Sequence, residues 1–439
     1  MNKNKTGFTL VELLAIIVIL ALILIIAVPQ IMNTIKSTRL KSIEDSAKLI
    51  ATNADKDYLA QQAVNSSYNA TSIPCSDVAK LSDDYSSCSI TYDSNGVATV
   101  KLKGANGGKF SGITCTGTKD NMNCSELVGY TDAAEYLAGL CTGTCPKSED
   151  SDGIVNENGM IQDKYGNYRY QGSNPNNYVS FNCTDNRNPT SSTCEIWRII
   201  GLFDVDGEQR VKLVRYNSLG AFSWDSSPAG INIGGGINQW GPSTYTDGTP
   251  YEGADLMREL NGDYLNSSLS ENPNWYSGSG NNVREFNKDY VLKNSAQELI
   301  GDATWYLGGF STNTISKEDA YNAERGEEHI LNPTDGVIRT HTWVGKVGLI
   351  YPSDFAYASG GTCPTLEARC GTNWMKRYGW TITSDSSDST GWVWNAYDDR
   401  MYNYSPYLNG QPIKPSVYLI PGVQIKGSGT TADPYVFAE

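Results

Sequence analysis

An uncharged stretch near the N-terminus constrains this chain more than any other feature of its sequence. It runs from Leu13 to Ile35, which is 23 residues, and a helix of that length spans a hydrocarbon core of about 30 Å. Lys3 and Lys5 precede it and favour a cytoplasmic N-terminus. The stretch is longer than the apolar region of roughly 7 to 15 residues in a secretory signal peptide. We therefore expect a membrane helix with the rest of the chain outside.

A carboxylate, Glu12, stands at the start of this apolar helix. A charged side chain at membrane depth costs about 2.5 kcal/mol or more, and such residues are functional by default. A simple membrane anchor, which is the main alternative, does not explain why a carboxylate is placed there. The sequence therefore favours a helix that does more than anchor the chain.

The residues around Glu12 resemble a known processing site. The string KTGFTLVE at 5–12 is similar to the N-terminal segment of type IV prepilins, a family that includes the pseudopilins. The resemblance implies that a prepilin peptidase cuts between Gly7 and Phe8 and that Phe8 becomes a methylated N-terminus. It also implies assembly with other pilin subunits, in which the Phe8 ammonium group of one subunit pairs with Glu12 of a neighbour. Pro29 matches the family pattern as well and favours a kink in the helix.

The chain beyond the membrane segment changes character twice. An amphipathic pattern that includes Ala47, Ile50 and Ala54 continues the helix outward as a stalk. Alternating strand patterns on both sides of Asn95-Gly96 then predict a hairpin within a β-meander. An acidic, turn-rich linker follows, and a large, loop-rich region of mixed strand and helix patterns comes after it. The expected fold class is α+β. The expected boundaries are a leader at 1–7, a hydrophobic helix and stalk at 8–62, a pilin head at 63–145, a linker at 146–165 and an extracellular C-terminal domain at 166–439.

Ten cysteines fall into five neighbouring pairs along the chain. An even, locally paired set is typical of disulfides formed outside the cytoplasm. A zinc site is the alternative, but only Cys141 and Cys145 come near a metal-ligand spacing, and the chain has only two His. We therefore expect disulfides and no metal. Sequence alone leaves the connectivity open, and our hypothesis is that neighbours pair. The neighbours are Cys75 and Cys88, Cys115 and Cys124, Cys141 and Cys145, Cys183 and Cys194, and Cys363 and Cys370.

The C-terminal region contains every tryptophan of the chain, which indicates a second core of different construction. Strings such as EIWRIIGLF at 195–203 and KPSVYLI at 414–420 resemble a domain of bacterial surface and pilin-like proteins that is similar to C-type-lectin-like folds. The calcium-dependent sugar motifs of those lectins are absent from the sequence, so calcium-dependent sugar binding is not expected. The string DVDG at 204–207 carries two carboxylates but lacks the further ligands of a helix-loop-helix calcium site, which favours a turn.

Nine Trp and Tyr residues crowd the span 374–407, among Asp, Ser and Asn. Aromatic side chains rimmed by polar groups bind sugars or protein loops. On that basis we assign ligand contact to Trp380, Trp392 and Trp394. Core packing is the alternative, because Trp is highly buried on average.

The charge balance limits the partners of the chain. Lys and Arg number 34 against 48 Asp and Glu, a formal charge of −14, which argues against binding to nucleic acid. No nucleophile motif such as GxSxG and no phosphate-binding GK[ST] motif is present in the sequence. We therefore expect no cofactor and no enzymatic activity.

The expected function is that of a type IV pilin-like filament subunit with an enlarged surface domain for adhesion or surface contact. It would sit in the cytoplasmic membrane by one helix and then in a pilus or on the cell surface, with a glycan or a surface protein as its ligand. Two alternatives stay open. One is a pseudopilin of a type II secretion or DNA-uptake system, and the other is a membrane-anchored carbohydrate-active enzyme, which needs a carboxylate pair in a cleft.

Overall fold

The computed structural model divides the chain into two compact units, residues 1–130 and 131–439. Each unit combines helix with antiparallel strands, which agrees with the α+β class expected from the sequence. The backbone alone is described for residues 10–33, 36 and 126. The described residues are 10–105, 108–110, 112–126, 130–147, 155–184, 190, 192–225, 237–267, 275–276, 286–326, 336–360, 363–369, 372–387, 391–407 and 410–438.

The first unit consists of one long helix and a five-stranded sheet. The strands pair antiparallel with their chain neighbours, in the order β1-β2-β3-β4-β5, so the sheet is a meander as predicted. The elements are α1, Leu10–Val64; β1, Ser72–Ile73; a 3₁₀ turn, Cys75–Asp77; β2, Tyr85–Tyr92; β3, Ala98–Gly104; β4, Ile113–Gly117; and β5, Met122–Glu126.

The outer half of α1 packs on this sheet through its apolar face. Ala47, Ile50 and Ala54 recur at spacings of three and four residues and are buried, as the amphipathic pattern predicts. They share one core with Val100 and Leu102 of β3. The sheet therefore covers the apolar stripe of the stalk.

The hairpin between β2 and β3 turns where the sequence predicts it. Gly96 has a φ of 75°, which glycine adopts without strain. The Asp93 carboxylate accepts hydrogen bonds from the backbone N–H groups of Asn95, at 2.8 Å, and Val97, at 2.9 Å. Local side-chain chemistry thus closes the turn.

The predicted membrane segment, Leu13–Ile35, lies almost wholly in the part of α1 whose side chains are outside the described residues. Within the described part of the chain, no helix combines the length and the apolarity that a membrane crossing requires.

The second unit is built on a seven-stranded antiparallel sheet. Six strands follow the order β18-β23-β11-β10-β8-β7, and β9 also pairs with β10. The helices are α2, Ala133–Cys141; α3, Asp255–Glu259, continued by a π-turn at Leu260–Tyr264; α4, Asn294–Gln297; α5, Lys317–Arg325; and α6, Pro352–Tyr357, with a 3₁₀ turn at Lys288–Tyr290. The strands are β6, Thr131–Asp132; β7, Met160–Gln162; β8, Tyr168–Tyr170; β9, Tyr178–Phe181; β10, Glu195–Val205; β11, Glu208–Arg215; β12, Ala221–Phe222; β13, Ser243–Tyr245; β14, Pro250–Tyr251; β15, Ala303–Tyr306; β16, Val337–Ile338; β17, Thr342–Gly345; β18, Val347–Gly348; β19, Gly379–Ser384; β20, Val393–Tyr397; β21, Arg400–Tyr404; β22, Gln411–Pro412; β23, Ser416–Tyr418; β24, Gln424–Lys426; and β25, Val436–Ala438.

The EIWRIIGLF string quoted from the sequence lies in β10, in the middle of this sheet. The strings at 178–181, 195–203 and 210–215 lie in β9, β10 and β11, and β10 pairs with β11 along most of its length. Smaller antiparallel sheets complete the unit, among them β19-β20-β21 and β25-β24-β6. Seven tryptophans are almost completely buried in this unit, which confirms a separate tryptophan-rich core.

Four disulfides join described cysteines, and each links neighbours as the hypothesis states. They are Cys75–Cys88, Cys115–Cys124, Cys141–Cys145 and Cys183–Cys194. Cys363 is also disulfide-bonded. Its predicted partner, Cys370, lies outside the described residues.

The structure places the boundary between the units earlier than residue 145, where the sequence analysis put it. Thr131–Asp132 pairs with β24 near the C-terminus, and Leu137 of α2 is buried in the second core. Residues 131–145 therefore belong to the second unit and not to the pilin head. The predicted linker at 146–165 needs the same correction, because it contains β7, an edge strand of the large sheet. Its acidic middle, 148–154, lies outside the described residues.

Candidate functional site

The residues assigned to processing and assembly lie at the N-terminal end. Gly7 and Phe8 are outside the described residues. Glu12 and Pro29 are in the backbone of α1, and their side chains are outside the described set. Their assigned roles therefore stay predictions.

The tryptophans assigned to ligand contact are mainly core residues, which corrects that prediction for two of the three. Trp380 and Trp394 are 1% and 2% exposed. Their indole N–H groups donate to the backbone carbonyls of Phe222, at 2.9 Å, and Phe310, at 3.1 Å. Trp392 is partly exposed. The core interpretation therefore holds for Trp380 and Trp394, whose polar atoms are satisfied inside the protein.

Tyrosines of the same span face outward instead. Tyr397 and Tyr402 are 52% and 37% exposed, and they lie on the hairpin of β20 and β21. In the register of that hairpin, Tyr397 stands opposite Arg400. Directly opposed residues share one face of a sheet, and Trp394 lies on the other face, toward the core. Strand alternation thus separates Trp394 from the exposed tyrosines. Trp380 stands opposite Asn395, on the same face as Tyr402, and is nevertheless buried.

Four charged side chains are buried together in the second unit, and we call them the buried charge cluster: Asp163, Arg169, Lys212 and Asp354. Arg169 Nε donates to Asp163 Oδ2 at 2.6 Å, and Arg169 Nη1 donates to Asp354 Oδ1 at 3.0 Å. Lys212 Nζ donates to Asp354 Oδ2 at 2.6 Å. The side chains are at most 1% exposed. Two cations thus face two carboxylates, and the cluster is formally neutral.

Aromatic rings surround the ammonium group of Lys212. Its Nζ atom lies 4.3 Å from the ring centroid of Tyr351, 5.1 Å from that of Tyr418 and 5.2 Å from that of Trp305. Burial lowers the pKa of this amine to about 8, although the charge of Asp354 opposes the change. The faces of the rings and the carboxylate together compensate the buried ammonium group.

Asp354 joins the cluster to the start of α6. Its Oδ2 atom accepts a hydrogen bond from the backbone N–H of Tyr351 at 3.0 Å, a free donor at the helix N-terminus. Burial raises the pKa of Asp354, but the charges of Lys212 and Arg169 outweigh it, and the net pKa lies below the usual value. Asp354 therefore stays an anion, and it accepts hydrogen bonds from Arg169 of β8, from Lys212 of β11 and from the backbone N–H at the start of α6.

Another buried carboxylate, Glu324, lies at the end of α5. It accepts hydrogen bonds from the backbone N–H of Ser353, at 2.7 Å, and from the Ser353 hydroxyl, at 2.5 Å. Burial raises its pKa to about 7, and the charge of Arg325 opposes the rise only in part. Glu324 thus links α5 to α6 and exchanges its proton near neutral pH.

A cavity of about 220 Å³ lies beside the cluster, at the turn between β10 and β11. Phe203 and Tyr418 line this cavity and also contact Lys212, at 5.8 and 5.1 Å. Arg325 contributes the cation, with its Cζ atom 3.5 Å from the ring centroid of Tyr321. The cavity is lined by Phe203, Asp204, Val205, Asp206, Gly207, Thr304, Tyr306, Tyr321, Arg325 and Tyr418.

The turn that supplies the two cavity carboxylates is the one that the sequence analysis weighed as a calcium loop. Asp206 and Gly207 have φ values of 57° and 83°, which suit a two-residue hairpin turn. Asp204 Oδ1 accepts from the backbone N–H of Gly207, and Asp206 Oδ2 accepts from that of Thr304, both at 3.2 Å. In the part of the chain that the structure describes, no three His, Cys, Asp or Glu residues are grouped to hold a metal ion.

The buried charge cluster was not predicted from the sequence, although its two cations have apolar or aromatic neighbours along the chain. Lys212 stands between Val211 and Leu213 in a buried strand, and Arg169 stands between two tyrosines. Glu12 was singled out because a charged residue in an apolar segment needs a partner. A charged residue in a buried strand needs a partner for the same reason. The residues that pair with them, Asp163 and Asp354, are distant in sequence, and only the fold brings them together.

Comparison with known proteins gives one match. Residues 2–28 match the family model described as the prokaryotic N-terminal methylation motif. This match supports a type IV pilin-like prepilin segment, and it fits a protein that is anchored at its N-terminus and associated with the membrane. No curated protein and no solved structure matches the chain. The C-type-lectin-like fold of the second unit therefore stays a prediction.

Proposed function

We propose that this chain is a type IV pilin-like filament subunit that displays its second unit for adhesion or surface contact. The observation that carries the proposal is the match of residues 2–28 to the methylation motif. The helix α1, which begins within the motif, leads into a small five-stranded sheet with two disulfides. This order of parts suits a subunit whose helix packs in a filament and whose folded units face outward.

Processing comes first in this proposal. A prepilin peptidase cuts between Gly7 and Phe8, and Phe8 becomes the methylated N-terminus. Within one helical turn of Glu12 the sequence has no Lys, Arg or His, so pairing with the Phe8 ammonium group of an incoming subunit relieves a desolvation cost of several kcal/mol. Pro29 removes one helix hydrogen bond and allows α1 to bend as subunits pack.

The second unit serves contact rather than catalysis in this proposal. The four members of its buried charge cluster are paired with one another, as in the 2.6 Å contact between Lys212 and Asp354. Disulfides such as Cys183–Cys194 suit a domain that stays folded outside the cell. The ligand is a glycan or a surface protein.

The test compares assembly of the wild type with that of Glu12→Ala. Glu12→Ala makes the helix more apolar, so membrane insertion and leader cleavage stay normal, while the attraction to Phe8 is lost. We expect normal membrane levels and a reduced ratio of sheared to membrane-bound protein. Glu44→Ala is the matched control, because it removes a carboxylate from the same helix outside the membrane segment, where Glu44 pairs with Lys48.

Each outcome of this experiment is informative. If the wild type is present in sheared filaments and Glu12→Ala has the same ratio of sheared to membrane-bound protein, Glu12 is not an assembly contact. A wild type that is cleaved but absent from sheared filaments would favour the pseudopilin alternative, which shares the same N-terminal motif. An equal defect in Glu44→Ala would show that the loss is not specific to Glu12.

A further inference from the structure

We propose that the cavity at the β10–β11 turn binds one uncharged sugar ring, without calcium. The inference rests on the proposed function, because it names the ligand class of the displayed second unit. It is carried by the mixture of groups around one small cavity: the carboxylates of Asp204 and Asp206, the guanidinium group of Arg325, and tyrosine rings.

The polar lining offers both acceptors and donors. Asp204 and Asp206 are exposed and present carboxylate oxygens, which accept hydrogen bonds. Arg325 presents N–H donors, and its side chain is 20% exposed. A sugar hydroxyl donates and accepts at the same time, so a ring with several hydroxyls satisfies both kinds of group.

The charges of the lining select against anionic ligands. A carboxylate ligand is repelled by Asp204 and Asp206, and Arg325 is already partly compensated by Glu324, with Nη1 3.3 Å from Oε2. An uncharged polyol avoids this repulsion, and its hydroxyls pair both with the carboxylates and with the guanidinium group, which make the stronger hydrogen bonds.

Aromatic rings supply the apolar surface that a sugar needs. Tyr306 and Tyr321 are partly exposed and line the cavity. Phe203 and Tyr418 also line it, and both are buried rings that pack against Lys212. A pyranose ring has an apolar C–H face that packs on aromatic rings, while its hydroxyl edge is polar. The same lining can therefore contact both the apolar C–H face and the hydroxyl edge of one sugar ring.

The lining is fixed in place before a ligand arrives. Arg325 is stacked on Tyr321 and donates to the Tyr321 carbonyl at 3.3 Å. Asp206 is held by its turn and by the N–H of Thr304. Groups that are already ordered lose little freedom when a ligand binds.

The size of the cavity limits the ligand to a single ring. Its volume of about 220 Å³ is smaller than the roughly 300 to 1,000 Å³ typical of pockets for drug-sized ligands. Further sugars of a glycan would extend into solvent. We therefore expect weak binding of single sugars and recognition of one sugar residue.

The test uses saturation-transfer NMR to measure sugar binding by the purified full chain. The probes are the methyl pyranosides of glucose, galactose, mannose and N-acetylglucosamine, with glucuronate as the anionic analogue. We expect at least one neutral pyranoside to bind, in the presence of a calcium chelator, and glucuronate to bind more weakly.

The key variant is Asp206→Asn. Asn tolerates the left-handed conformation of this turn, and its amide oxygen can still accept from Thr304. The variant loses one charged acceptor, so we expect binding to weaken about tenfold. Asp398→Asn is the matched control, because Asp398 also has a positive φ, 53°, in a hairpin turn, but does not line the cavity. Its binding should equal that of the wild type.

Three results would overturn the proposal: no binding of any neutral pyranoside, stronger binding of glucuronate than of the neutral pyranosides, or equal binding by Asp206→Asn and the wild type. The measurement uses isolated protein and does not depend on filaments. Normal sugar binding with no Glu12-dependent assembly would therefore reject the proposed function and retain this site. Normal Glu12-dependent assembly with no sugar binding would reject this site and retain the proposed function.

Discussion

Lys212 Nζ lies 2.6 Å from Asp354 Oδ2, and both side chains are removed from solvent. Through Asp354, a strand of the large sheet is joined to the first turn of α6. Arg169 approaches the other carboxylate oxygen from β8, at 3.0 Å. One anion thus connects three elements that are far apart in sequence.

Replacement of Asp354 should destabilise the second unit strongly. Asp354→Asn leaves Lys212 without its carboxylate, and breaking a buried pair in this way costs about 3 to 5 kcal/mol. Urea unfolding of the full chain followed by tryptophan fluorescence measures the change, since every tryptophan belongs to the second unit. Asp398→Asn removes the partner of Arg377 in an exposed pair and should change stability by about 1 kcal/mol or less. Similar effects of the two variants would contradict the structural role of the cluster.

Glu324 should make the second unit less stable as the pH rises toward neutrality. Burial raises its folded pKa to about 7 from 4.5, so between these values the folded state keeps a proton that the unfolded state has released. Stability is then fully present below about pH 4.5 and is lost as the pH rises through 7, by up to about 3 kcal/mol. Glu324→Gln mimics the protonated form and should remove this part of the pH dependence.

The same fluorescence experiment, repeated at several pH values, measures the dependence. Glu298→Gln, at an exposed glutamate, is the control and should keep the wild-type profile. An unchanged slope in Glu324→Gln would mean that Glu324 is ionised in the folded protein throughout this range.

The cysteines should be fully oxidised in protein extracted from the cell surface. Peptide mapping without reductant should recover the four pairs of the structure, and a fifth between Cys363 and Cys370. Removing the Cys183–Cys194 link by a double alanine substitution should destabilise the second unit by about 3 kcal/mol, as loop-closure entropy predicts for a loop of this length. Ser192→Ala in the same loop is the control. Free thiols at these positions in surface protein would contradict an oxidised domain.

The parts of the fold set by local chemistry could be predicted from the sequence. Asn95-Gly96 specifies a hairpin because the turn needs a positive φ, and the amphipathic spacing of Ala47, Ile50 and Ala54 marks the buried face of the stalk. The DVDG string at 204–207 is a turn for the same kind of local reason. The pairing of neighbouring cysteines was a hypothesis based on their short spacings, and four described disulfides confirm it.

The features set by long-range packing could not be predicted. The unit boundary was misplaced because Thr131–Asp132 finds its partner strand almost 300 residues later, at Gln424–Ile425. Trp380 and Trp394 were assigned to ligand contact because composition does not show which face of a strand is covered. The buried charge cluster requires knowing that Lys212 and Asp354 meet, which no local pattern contains.

The central claim is that this chain is processed as a type IV prepilin, and the mass of its N-terminal peptide tests that claim most directly. Membrane protein from cells with the native peptidase should begin at Phe8, with one added methyl group on its amine. Gly7→Trp, which places a bulky side chain at the cleavage site, should retain residues 1–7. A wild-type chain that keeps its leader, or that is cut beyond the apolar segment, would contradict the account.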